Sequence, residues 1–111
     1  MERLLPRIQS PGDVRALPES ELSRLCEELR EDIISLCGRV GGHLGASLGA
    51  VELIVSLHRV FHSPQDALVF DVGHQAYAHK LLTGRRERMG TLRQAGGIAP
   101  FLDPRESHHD A

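Results

Sequence analysis

The feature that most constrains this chain is an apolar stripe at helical spacing, bounded by proline and glycine. Leu22, Leu25, Cys26, Leu29, Ile33, Leu36, Cys37 and Val40 recur at steps of three and four, the period of one helix face. Pro18-Glu19-Ser20-Glu21 precedes the stripe, with acidic residues suited to the positive end of a helix dipole. Gly41-Gly42 follows it, and glycine is the usual helix terminator. Glu27, Glu28, Arg30, Glu31 and Arg39 fall mostly off the stripe, so that face is expected to be solvated.

Other elements can be placed around this helix. Ser10-Pro11-Gly12-Asp13 reads as a helix start, with Ser as N-cap and Pro at the first position; a short helix through Leu17 is expected. Ser47 is placed to cap a further helix over residues 48–61 that is apolar nearly all round, the pattern of a buried central helix. Glu52 is its exception, a carboxylate that needs a partner. A turn at residues 62–66 leads to Ala67-Leu68-Val69-Phe70, a short apolar run that fits a buried parallel strand opening into a functional loop. A helix from Gln75 or Ala76 to Leu82 is expected next, then a helical turn over 85–89. Beyond Gly96-Gly97 no element is recognisable, and His108-His109 reads as part of a polar, poorly ordered tail.

Length and composition bound the rest. A chain of 111 residues makes at most one domain, or part of one. With three Phe, one Tyr and no Trp, its core has to be aliphatic. A net charge of −2 gives no global field for nucleic acid, and no stretch approaches the roughly 18 apolar residues of a membrane span. Cys26 and Cys37, eleven residues apart on one helix, would lie roughly 16 Å apart, too far for a disulfide. A cytoplasmic protein without membrane or nucleic-acid partners is the expectation.

Two glycine–histidine segments carry the chemistry. Residues 41–49 hold four glycines in nine residues around His43; small residues let backbone N–H groups crowd an anionic or flat ligand. The spacing matches neither the P-loop nor the dinucleotide fingerprint. His43 either orients or protonates a substrate oxygen or is an exposed histidine in a helix connection. About thirty residues on, Asp71-Val72-Gly73-His74-Gln75-Ala76-Tyr77 follows the expected strand, where open α/β sheets place ligands; His74 is ligand-facing or structural. His58 and His62 have the spacing of metal ligands on one helix face, but no third ligand is obvious. Lys80, Arg85, Arg86, Arg88 and Arg93 form a basic stretch, read as a solvated or partner-facing surface.

Taken together, the residues resemble the 1-deoxy-D-xylulose-5-phosphate synthase family of transketolase-like thiamine-diphosphate enzymes. The resemblance is carried by Leu4-Leu5-Pro6-Arg7-Ile8, Gly42-His43-Leu44, Ser47-Leu48-Gly49, Asp71-Val72-Gly73-His74-Gln75-Ala76-Tyr77, His79-Lys80 and Leu82-Thr83-Gly84-Arg85-Arg86, and runs on to Asp110-Ala111. It implies an α/β fold: the N-terminal part of a thiamine-diphosphate-binding domain, mostly helical with at least one buried strand near 67–71. It implies cofactor binding by His74 and a substrate-side catalytic role for His43, with Ser47 and Tyr77 near the pocket but without assigned roles. The reaction implied is condensation of pyruvate with glyceraldehyde 3-phosphate with release of carbon dioxide, opening non-mevalonate isoprenoid biosynthesis.

The departures from the family bear on that reading. The family chain is several times longer, and its Gly-Asp-Gly motif for magnesium and the diphosphate has no counterpart here; the only Gly-Asp pair is Gly12-Asp13. Residues 1–111 are therefore expected to be an N-terminal segment, incomplete at its C-terminal end and inactive alone. It would be completed by the remainder of the synthase or by a second chain, and on its own would be prone to self-association. The alternatives are a non-catalytic interaction protein and one subunit of a split enzyme.

Overall fold

The computed structural model describes residues 2–41, 44–70 and 75–111. Five α-helices are found among them: α1 (Pro11–Ala16), α2 (Leu22–Val40), α3 (Leu44–Gly49), α4 (Val51–Val60) and α5 (Tyr77–Leu82). Three 3-10 turns accompany them: Leu5–Arg7 before α1, Glu19–Glu21 between α1 and α2, and Arg86–Thr91 after α5.

The long helix forms where the stripe predicts it. Leu25, Leu29, Ile33 and Leu36 are buried at 0–3% exposure, and each contributes about 1.5–3 kcal/mol of hydrophobic burial. Gly41 ends α2 at φ 77°, backbone that an L side chain adopts only with strain. Its solvated back has one exception. Glu28 is 5% exposed, and its carboxylate accepts the amides of Leu4 (2.8 Å) and Leu5 (2.8 Å). Those amides open the first 3-10 turn and lack helical acceptors, so the carboxylate docks the N-terminal segment, with buried Leu4, Leu5 and Ile8, onto α2.

The start of α1 also follows its sequence. Asp13 accepts the amides of Gln9 (2.8 Å) and Ser10 (3.2 Å), the carboxylate half of a capping box. At its other end, Arg59 of α4 donates to the carbonyls of Arg15 (2.9 Å) and Leu17 (2.7 Å). A cation on unsatisfied C-terminal carbonyls is favourable, and it locks α1 to α4.

Three expectations need correction. The helix expected over 48–61 is two helices that meet at Ala50, and Ser47 lies fully buried inside α3 instead of capping α4. The second of these is not buried all round. Val51, Ile54 and Val55 face the core, while Leu53 and Val60 are 61% and 66% exposed; Glu52 is exposed and paired with Arg30 of α2. Finally, the buried strand near 67–71 is not formed. Residues 67–70 have no strand pairing, with Leu68 buried and Val69 77% exposed, and residue 71 lies outside the described part. A strand exists only through the ladder it makes with a neighbour, and no strand occurs among the described residues. The described part of the chain is therefore helical and not α/β.

Candidate functional site

The densest polar cluster lies where α5 meets the C-terminal segment. Tyr77, Ala78, His79, Lys80, Leu81 and Leu82 are all buried, so this short helix has no solvent face on which to leave its two polar residues. Both are satisfied by residues 99–110. Lys80 Nζ donates to the Ala99 carbonyl (2.5 Å) and to Glu106 (3.0 Å). Burial pulls the Lys80 ammonium below its ordinary range, and the hydrogen bond to Glu106 opposes that pull.

Asp110 is the hub. Its Oδ1 accepts from Arg85 (2.7 Å) and His79 Nε2 (3.1 Å); its Oδ2 accepts from Arg85 (2.7 Å) and the Asp103 amide (2.9 Å). Burial alone would raise this carboxyl, but the hydrogen bonds from Arg85 and His79 outweigh it and hold Asp110 well below the usual carboxylate range. Arg85 also reaches Glu106 (3.0 Å) and Thr83 (2.7 Å). Two cations, Lys80 and Arg85, thus face two carboxylates, Glu106 and Asp110, so the charges balance in a site that could not hold them singly.

The network continues into α4. His79 Nδ1 lies 2.9 Å from His58 Nε2, and both rings are fully buried. Burial first, then the neighbouring His79, His109 and Arg15, push His58 down to about 3. Nearby, Ser63 Oγ lies 2.9 Å from His109 Nδ1.

These positions revise the sequence reading at several points. Lys80 and Arg85 are core ion-pair partners and not solvated surface. The segment around His109 is hydrogen-bonded to α5 through Glu106 and Asp110 and to Ser63 through His109, and is not a loose tail. His58 pairs with His79 and not with His62, which is exposed; no group of three or more potential metal ligands occurs among the described residues. Ser47 and Tyr77 are fully buried. The two principal candidates, His43 and His74, lie outside the described residues together with Gly42 and residues 71–73. Sequence reasoning misses the Asp110 hub, although one signal was present: an otherwise apolar helix carrying His-Lys at its centre requires buried acceptors.

Two grooves flank this framework. One, of about 360 Å³, runs between α4 and residues 67–70 and is walled by Leu53, Ile54, Leu57, Leu68 and Phe70. Gln75 is its one polar side chain among the described residues. The other, of about 270 Å³, sets Arg39 and Arg86 against Asp32 and Glu87. Among the described residues the first has no cation for a diphosphate, and the second opposes its two arginines with two carboxylates. The described residues therefore do not by themselves fit thiamine diphosphate or its metal. No described helix is long and apolar enough to cross a membrane.

Comparison with known proteins bears on the whole length. A family model described as 1-deoxy-D-xylulose-5-phosphate synthase matches residues 5–111. The chain is 84% identical over its full length to the 1-deoxy-D-xylulose-5-phosphate synthase of Myxococcus xanthus, of which it covers 19%. It is 64% identical to that of an Anaeromyxobacter species, covering 18% of it. Over 110 residues it is 59% identical to 1-deoxy-D-xylulose-5-phosphate synthase 2 of Geobacter sulfurreducens, again covering 18%. The chain thus spans about a fifth of the length of these relatives. On a family match across nearly every residue, this chain belongs to the 1-deoxy-D-xylulose-5-phosphate synthase family.

Proposed function

We propose that residues 1–111 serve as the opening segment of the thiamine-diphosphate-binding domain of a 1-deoxy-D-xylulose-5-phosphate synthase. The complete transferase condenses pyruvate with glyceraldehyde 3-phosphate, releases carbon dioxide and begins isoprenoid synthesis. The observation that carries this reading is the 84% identity, without loss of coverage, to a relative of that name. In the complete enzyme His74 contacts the cofactor and His43 works on the substrate side. Magnesium and the diphosphate are held by residues beyond this segment. The mixed and apolar character of the two grooves supports a division in which this segment alone neither binds the cofactor tightly nor turns over. A cytoplasmic setting belongs to the same reading. The exposed apolar side chains Leu53, Val60, Phe61 and Val69 support self-association of the isolated chain.

The test is calorimetry with thiamine diphosphate and magnesium. It compares the chain alone with a chimera in which the chain replaces the matching part of the Myxococcus relative. No micromolar binding by the chain, with binding and carbon dioxide release by the chimera, is the expected result. In the chimera, His74→Ala weakens cofactor affinity, whereas His43→Ala lowers turnover at unchanged cofactor affinity. Micromolar binding by the chain alone, or a folded chimera that binds nothing, overturns the proposal.

A further inference from the structure

The basic stretch of residues 80–93 is only partly used by the network around Asp110. Lys80 and Arg85 are buried in ion pairs with Glu106 and Asp110, but Arg86 is not. It lines the cavity of about 270 Å³ between α2 and the turn at Arg86–Thr91. Asp32, Ser35, Leu36 and Arg39 form the α2 wall, at the steps of three and four that share one helix face. Of the lining residues, Leu36, Leu81 and Met89 are buried, Asp32 and Arg86 half-buried, and Arg39 and Glu87 exposed. An apolar floor thus lies beneath a charged rim.

That rim holds donors without acceptors. Asp32 is already engaged by Arg3 at 2.8 Å. None of Arg39, Arg86 and Glu87 takes part in an ion pair among the described residues. Arg86 Nε is moreover buried with no hydrogen-bond partner, which is uncommon for a donor in a folded protein. Two guanidinium groups and one uncommitted carboxylate, Glu87, share the cavity, and that leaves room for a single negative charge. A carboxylate supplies one, in a shape that matches the planar donor fork of arginine. A phosphate dianion brings a second charge with no cation left to balance it.

We propose that this cavity binds a small monocarboxylate, its charge held by Arg39 and Arg86 and its short hydrocarbon body set against Leu36, Leu81 and Met89. Removing that body from water adds to the affinity, so an acid of a few carbons binds better than the bare carboxylate. Glu87 sets the selectivity: it weakens every anion, and a doubly charged one most. The residues invoked include neither His43 nor His74, and the site does not depend on the function proposed above.

The test titrates the ¹⁵N-labelled 111-residue chain with butyrate, acetate, butylamine and inorganic phosphate, at pH 7 and constant ionic strength, and follows amide chemical shifts. Butyrate is expected to move Arg39, Arg86 and Gly90 saturably, with a dissociation constant of about 1–10 mM, and to leave α1 unmoved. Acetate, with two fewer methylenes, should bind about fivefold more weakly. Phosphate should also be about fivefold weaker, and butylamine should not bind. Arg39→Gln and Arg86→Gln should each weaken butyrate about fivefold, the upper range of an exposed ion pair, whereas Glu87→Gln should tighten it about twofold. Phosphate or butylamine binding as tightly as butyrate, butyrate shifts that never saturate, or butyrate affinity unchanged in all three variants overturns the proposal. Glu87→Gln, at an exposed position, keeps the test decisive should an arginine variant fail to fold. No probe is the cofactor, so this result and the calorimetric one stand or fall separately.

Discussion

Arg85 and Asp110, 25 residues apart in sequence, meet in a two-pronged ion pair with both N···O distances at 2.7 Å. The side chains are 4% and 0% exposed. Such a pair matters mostly through what remains when one partner is removed, because an uncompensated buried charge is far costlier than the pair itself. Arg85→Leu leaves Asp110 with an imidazole and one amide as donors. The expected loss is about 3–5 kcal/mol, read from urea unfolding, and Arg85→Lys should fall between the two. A loss below about 1 kcal/mol, the range of exposed pairs, would show that water reaches this pair in solution.

Acid is expected to unfold the chain earlier than its carboxylates alone would require. His58 sits at about 3 in the folded chain, against 6.5 when free, so the unfolded chain binds the proton more readily. Stability is complete above about pH 6.5 and falls as pH drops from there toward 3. At pH 5 the loss is about 2 kcal/mol. Glu28 and Asp110, both held below their ordinary values, add losses of the same sign at lower pH. Melting temperatures at pH 7 and pH 5 check this, and His58→Gln should flatten the slope between them. A wild-type melting temperature unchanged between these two values would refute it.

Sequence and structure agree where a local rule decides and part where the partner is distant. The 22–40 stripe, the Ser10 helix start and the Gly41 stop are set by spacing and by neighbouring residues, and all three are found. Ala67-Leu68-Val69-Phe70 has the composition of a strand, but pairing is a property of two segments, and no second strand occurs among the described residues. Glu28 and Lys80 read as surface because their acceptors or donors lie about twenty residues or more away, at Leu4, Leu5, Ala99 and Glu106. The candidate site divides in the same way. The glycine–histidine motifs are legible as motifs, whereas the Asp110–His79–His58 line joins three separate parts of the chain and leaves only the polar centre of α5 as a trace.

Gly97 is expected to tolerate no side chain. A Cβ there would stand 2.0 Å from the Thr91 carbonyl oxygen and 2.7 Å from the Thr91 Cβ. The loop is closed around that contact: Arg93 N donates to Ile98 O (2.9 Å), Gln94 N to Thr91 O (3.1 Å) and Ile98 N to Thr91 Oγ1 (3.1 Å). The obstacle is backbone and cannot rotate away. Gly97→Ala should cost about 1–3 kcal/mol or more, as overpacking does, and should loosen the buried Leu92 and Ile98. Gly90→Ala is the control, since nothing lies within 4 Å of its added Cβ. Equal melting temperatures for the two variants would show that the 91–98 loop opens in solution.

The outer side of α4 gives the last prediction. Leu53, Val60 and Val69 are 61%, 66% and 77% exposed, and Leu53 and Val69 line the same apolar groove. Side chains so exposed contribute little to the fold, so replacing them changes association and leaves stability almost untouched. The isolated chain is expected to sediment as a concentration-dependent mixture. Leu53→Lys combined with Val69→Lys should shift it to monomer, at a melting temperature within a few degrees of the wild type. Charge placed on an apolar contact is strongly disfavoured once buried, so the double variant discriminates sharply. A wild-type chain that sediments as a monomer at every concentration would remove self-association from the account, leaving the groove as an exposed surface of a stable monomer.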